Sequence, residues 1–217
     1  MWYDKLFEEL ESLGDAAQSE KMAAYMKNRF PFCGVPKPEQ ARCMKPYFKE
    51  SKKLKIDWDF VDLCWQKDYR EAQYAGIDYL LLHKAELTTE DLPRLQRMVT
   101  EKSWWDTVDN IDGMIGELVL KDPVLKEEMR RWAASDNLWL RRVAIDHQQR
   151  LKEKTDAALL EEIIVMNLGD SEFFINKAIG WSLREYSKSD PAWVRGFLER
   201  HGEALAPLSL REAKKYL

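Results

Sequence analysis

Apolar residues recur along this chain at the spacing of helices, and no stretch alternates as a strand would. Trp2, Leu6, Leu10 and Leu13 share a face and predict an amphipathic helix over 1–13. Met22, Tyr25, Met26 and Phe30 predict a second over 16–30. Residues 30–38, FPFCGVPKP, hold three prolines and a glycine and predict a connector. Pro38 suits the first turn of a helix running to about residue 49. Asp57 or Asp59 opens a short helix through Trp65.

From about residue 68 the pattern repeats. Ile77-Asp78, Ile111-Asp112, Ile145-Asp146 and Ile179-Gly180 stand at a constant spacing of 34 residues. Predicted helix starts at Asp68, Lys102/Ser103, Asp136 and Asp170/Ser171 keep step, with Ser103 a suitable N-cap. Second helices begin near Thr89, Pro123, Ala157 and Pro191. Each unit is a helix pair, and such a pair cannot bury its apolar face alone, so neighbours stack into an α-solenoid with a concave and a convex surface. The expected organisation is all-α and a single domain, with N-terminal helices over 1–66 and repeats over 67–217.

The repeating isoleucine sets a register. With it facing the core and about 100° per residue, Trp104 falls with the core, while Trp105, Asp109 and Trp181 point away from it. Trp105 and Asp109 are an i, i+4 pair on one face. Lys177 and Arg184 flank Trp181, and Arg142 lies on the helix between, nearer its flank. Trp104, Trp132 and Trp139 are assigned to packing. Large aromatics directed away from a core either lie under another layer, such as the N-terminal helices, or line a groove.

Charge changes the picture in its distribution more than in its total. The formal net charge of −4 indicates no nucleic-acid partner by itself. Residues 37–55 and 130–154, however, each carry seven bases against two or three acids. Segregation of that kind can lay a positive stripe on an acidic protein, and local potential governs the approach of a polyanion; two solvated helix faces give the same pattern. Cys33, Cys43 and Cys64 form no C-x-x-C spacing, and the three histidines are scattered, so neither a disulfide framework nor a zinc site is indicated. No basic-then-apolar leader and no membrane-length apolar run occurs, so a cytoplasmic protein without a membrane partner is expected.

Two indole faces, one carboxylate and surrounding bases make a chemically specific set. Indole faces attract cations and pack on sugar rings. A carboxylate beside them can stabilise an oxocarbenium-like centre and orient water, while bases hold phosphates without reading sequence. Together these suit cleavage of the N-glycosidic bond of a base that already carries positive charge, which leaves without strong acid help. Plain packing of the tryptophans and an exposed helix acid remain the alternatives at this level.

The segments MAAYMKNRF (22–30), KSWWDTVDNI (102–111), RWAASDNLWLRRVAI (131–145), FFINKAIGWSLREY (173–186) and LAPLSLREA (205–213) span most of the chain. In that order they resemble the AlkD-type DNA alkylation-repair glycosylases, which are built of HEAT-like repeats. The resemblance implies removal of N3- and N7-alkylated purines, such as 3-methyladenine and 7-methylguanine, from duplex DNA lying along the concave groove, without drawing the base into a deep pocket. It implies Asp109 as the catalytic acid, Trp105 and Trp181 as its aromatic partners, and Arg142 and Tyr25 as DNA contacts. Val35-Pro36-Lys37 depart from the uncharged polar residues that approach the opposite strand in that family, so those contacts do not carry over residue by residue; Lys37, at that place in the chain, is a candidate DNA contact. Lys177, Arg184 and Arg211 are candidate phosphate contacts. The expectation is a monomeric, monofunctional glycosylase without metal or organic cofactor. A non-catalytic binder of unusual DNA and a protein–protein scaffold are the competing readings.

Overall fold

A computed structural model describes residues 1–217, and the chain is all-helical. It divides into two compact units, Met1–Leu87 and Thr88–Leu217. The first predicted repeat helix therefore packs with the N-terminal helices.

In the first unit, α1 (Leu6–Ser12) is shorter than its apolar pattern predicts. Leu6 and Leu10 are buried, but Leu13 is exposed beyond the helix end. The second, α2 (Ala16–Tyr25), starts as expected because Asp15 accepts a hydrogen bond from the Gln18 amide at 2.7 Å. It stops five residues before Phe30, where Lys27 and Asn28 take left-handed backbone at φ 58° and 54° and end the helical path. Three helices follow: α3 (Lys37–Ser51), α4 (Trp58–Gln66, capped by Asp57) and α5 (Arg70–His83). No helix is long and apolar enough to cross a membrane.

The second unit is four helix pairs. The first helices of the pairs are α6 (Leu92–Thr100), α8 (Lys126–Ala133), α10 (Ala157–Met166) and α12 (Pro191–His201). Their partners are α7 (Trp105–Lys121), α9 (Leu138–Asp146), α11 (Phe173–Tyr186) and α13 (Pro207–Ala213). A capping side chain opens each pair at the same phase: Thr88 with Asp91, then Asp122, Asp156 and Asp190, 34 residues apart. Each satisfies an amide that the helix itself cannot, so the period is written in local hydrogen bonding as well as in apolar residues. Ile77, Ile111, Ile145 and Ile179 are all buried, as the register requires. Each stabilises its unit by about 1.5–3 kcal/mol.

The partner helices form one layer in which α9 packs against α7 and α11, and α13 closes on α11. Two glycines set how closely they approach. A Cβ on Gly116 would lie 1.8 Å from the His147 carbonyl oxygen. A Cβ on Gly180 would meet Glu212 Cβ at 2.7 Å and Ser209 Cα at 3.0 Å. Gly180 stands where the other repeats carry aspartate, and that space is filled by α13.

Candidate active site

α7, α9 and α11 bring side chains distant in sequence to one place. α7 begins at Trp105, with Trp104 rather than Ser103 as its N-cap; the Ser103 hydroxyl instead donates to the Val99 carbonyl at 2.6 Å, closing the preceding helix. Trp104 is buried edge-on to Trp139 and Phe174, with ring centroids 5.6 and 5.0 Å away, as its packing assignment requires. Trp105 and Asp109, one turn apart, are both half-buried.

Asp109 does not stand alone. Arg142, 1% exposed, grips it side-on: Nε donates to Oδ1 at 2.7 Å and Nη2 to Oδ2 at 2.8 Å. Nη1 donates to the Phe174 carbonyl at 2.7 Å, and Nη2 lies 3.5 Å from Asp146 Oδ2. The guanidinium expected on a groove flank is thus buried, its fork spent on protein acceptors. Burial works against its charge, but Asp146 and Asp109 outweigh that and hold it fully protonated.

Behind the pair sit two buried carboxyls absent from the predicted site. Asp146, 2% exposed, accepts from the Ser182 hydroxyl at 2.8 Å. Burial pushes it up to about 6, against the pull of Arg142. Asp112 has a buried oxygen with no hydrogen-bond partner. Burial, with Asp146 and Asp109 adding to it, raises Asp112 well above the ordinary aspartate range. One oxygen from each of Asp109, Asp112 and Asp146 falls within 4.8 Å of the others, a donor set that would suit a hard cation. Two of them, Asp109 and Asp146, hold the Arg142 guanidinium as their cation. The sequence signal for both hidden acids was the Ile-Asp pair recurring in three of the four repeats, since a residue next to a core isoleucine is partly drawn inward. Exposed Arg150, also outside the predicted set, donates to the Asp109 carbonyl at 2.9 Å and lies over Gly113.

Trp181 is half-buried on α11, ringed by cations: Lys177 Nζ lies 5.0 Å from its centroid, and Arg142 and Arg184 each 5.6 Å. Lys177 and Arg184 are not loose bases. Both pair with Glu212 of α13, at 2.9 and 2.8 Å. Hydrogen bonds from Lys215 and Lys177 hold the Glu212 carboxyl down at about 2, against the effect of burial. Arg211 is exposed and makes no ion pair.

Tyr25 and Lys37 belong to the first unit. Tyr25 is 69% exposed and lines an apolar cleft of about 290 Å³ with Met22, Met26, Phe32 and Tyr74. Lys37 pairs with Asp78 at 2.6 Å and sits over the Tyr74 ring at 5.3 Å. Geometry therefore gathers Asp109, Arg142, Trp181, Lys177 and Arg184 around one locus, with Trp105 a turn away on α7.

Residues 6–217 match the family described as DNA alkylation repair enzyme. The fold is similar to that of a solved structure titled a predicted DNA alkylation repair enzyme from Enterococcus faecalis. The two are 37% identical with a TM-score of 0.86, over 94% of this chain and 96% of that one. No curated protein matches the chain significantly.

Proposed function

We infer that this chain, which belongs to the DNA alkylation repair enzyme family, is a monofunctional DNA glycosylase acting in the cytosol on N3- and N7-alkylated purines in duplex DNA. The observation that carries the reading is the half-buried Asp109 carboxylate, clamped by buried Arg142 beside the Trp181 ring. A fixed carboxylate in a partly water-excluded place stabilises a developing oxocarbenium without reorganising, which is where most of an enzyme's electrostatic advantage comes from. The same carboxylate can orient the water that attacks the anomeric carbon. The cationic base departs as a neutral purine, so one acid is enough.

The collar of cations around Trp181 shapes the roles of the two indoles. A positive base is repelled by Lys177 and Arg184, whereas phosphate and the deoxyribose it carries are drawn in. Trp181 is therefore assigned to the sugar–phosphate side, and Trp105 to the charged base. Exposed Arg211 and Arg150 add phosphate contacts. Lys177, the lysine of the cluster, is held by Glu212 at 2.9 Å instead of standing free as a Schiff-base nucleophile, so backbone cleavage is not expected.

The test is release of free 7-methylguanine and 3-methyladenine from methylated duplex DNA. Asp109→Asn keeps the size of the side chain and removes its charge, and should lower the single-turnover rate by about a hundredfold or more with DNA affinity retained. An equal rate in that variant would remove Asp109 from the chemistry. One feature favours a second reading, a binder of damaged DNA without catalysis: both Asp109 oxygens already accept from Arg142. Salt-sensitive binding with no purine released would establish it.

A further inference from the structure

We propose that Asp146, anchored by Ser182, is a positioning residue for the reaction: it holds Arg142 from behind and keeps that cation from cancelling the charge of Asp109. For its rate readout this inference rests on the glycosylase reading above.

Asp146 is 2% exposed, so it cannot touch substrate; whatever it does passes through its neighbours. Those neighbours are three, and the weakest contact on Asp146 is from Gln149, whose Nε2 approaches Oδ1 at 3.5 Å. Its Oδ1 accepts from the Ser182 hydroxyl of α11 at 2.8 Å, and its Oδ2 lies 3.5 Å from Arg142 Nη2, one turn back on α9. Arg142 in turn meets Asp109 of α7 through two hydrogen bonds and the Phe174 carbonyl of α11 through a third. The guanidinium plane is thus fixed by three helices, and a planar fork transmits that fixation to both Asp109 oxygens.

Structure alone does not require Asp146. Asp109 and the Phe174 carbonyl already give each Arg142 nitrogen one acceptor, and a second buried carboxylate adds desolvation cost. What the second carboxylate changes is the charge balance. A one-to-one pair of Asp109 with Arg142 is neutral and offers little to a cationic transition state. With Asp146 sharing the guanidinium, the group of three carries one net negative charge, and its only part-exposed member is Asp109, at 21%. Asp112, a turn from Asp109 on α7, has no such link, since its buried oxygen meets no donor. Arg150, from beyond the α9 end, touches only the backbone of Asp109.

Asp146→Asn and Ser182→Ala test this in the full chain, with Asp112→Asn for comparison. Asp146→Asn should lower the single-turnover excision rate at saturating protein by about tenfold to a hundredfold while DNA affinity is unchanged. Ser182→Ala should lower it several-fold, and Ser182→Thr, which keeps the hydroxyl, should recover part of that loss. Asp112→Asn, which leaves the Asp146–Arg142 contact in place, should cost the rate clearly less than Asp146→Asn does. Independently of any reaction, the Arg142 Nε–H signal in the free protein should exchange with solvent at least about tenfold faster in Asp146→Asn. That signal separates the two claims: if the unaltered protein releases no methylpurine, the glycosylase reading fails, and the Nε–H measurement still decides whether Asp146 holds Arg142. An unchanged rate in folded Asp146→Asn, an unchanged Nε–H exchange, or an equal loss in Asp112→Asn overturns the proposal. Should Asp146→Asn not fold, Ser182→Ala and Ser182→Thr carry the same comparisons.

Discussion

Each of the two units of this protein buries a charged cluster, and the clusters differ in what the charge is spent on. In the first unit Arg70 and Glu71, both fully buried, open α5. The Glu71 carboxylate accepts from the amides of Cys33, Gly34 and Val35 at 3.0, 2.8 and 3.0 Å. The Arg70 guanidinium stacks on Phe30 at 3.9 Å, and its amide donates to the Pro31 carbonyl at 2.9 Å. The Glu71 charge goes to the backbone amides of the proline-rich connector, and the Arg70 guanidinium to the Phe30 ring at its start. In the second unit Asp109, Arg142 and Asp146 spend charge on one another, and one of them remains part-exposed beside an aromatic ring. Burial of charge is common to both. A carboxylate consumed by backbone amides is architecture, and one balanced against other ionised side chains at an open face has reactivity to offer.

Three measurements sharpen or break that contrast, beginning with the largest effect. Glu71→Ala strips the acceptor from three amides at once and should destabilise the protein by about 3–5 kcal/mol in urea unfolding. A loss under about 1 kcal/mol would mean that the connector finds other acceptors and that the two clusters are less different than they look.

The second is an acid titration. Glu212 has a folded value near 2, below its ordinary 4.5, so its contribution to stability is complete above that ordinary value and lost as the pH falls toward 2. Asp146, raised to about 6, works in the opposite sense: it costs stability above that value, and the cost fades as the pH falls. The unaltered chain should therefore lose more stability between about pH 5 and 3 than Glu212→Gln does. Parallel curves would show that the lysines and Arg184 around Glu212 contribute nothing to the fold.

The smallest effect concerns Cys33. Burial, with the Glu71 carboxylate adding to it, pushes its thiol up to about 12, so a disulfide reagent at pH 8 should modify it slowly. Glu71→Gln should speed that reaction several-fold. No change in rate would mean that the Glu71 charge is not felt outside its hydrogen bonds.

Much of this molecule could be read before folding was considered. Helix pairing, the period of 34 and the buried isoleucines follow from side-chain spacing and capping residues, which act within a turn or two of themselves. Asp109 and Trp105 on a half-open face follow from the same geometry, since a helix sets the relative direction of residues four apart. The connector was visible from its prolines, though the end of α2 was not: Lys27 and Asn28 adopt left-handed backbone that apolar spacing does not report.

Folding alone decided the partners. Arg142 meets Asp109 across 33 residues, Glu71 meets the connector across 36 to 38, and Lys177 meets Glu212 across 35. A charged side chain is compatible with solvent, with phosphate or with a buried partner, and its local surroundings in the chain do not choose among them. The choice is made by how closely neighbouring helices approach, which at Gly116 and Gly180 turns on the absence of a single carbon atom. That approach converted bases expected to face a groove into a clamp and a collar, because a charge withdrawn from water must find its opposite nearby.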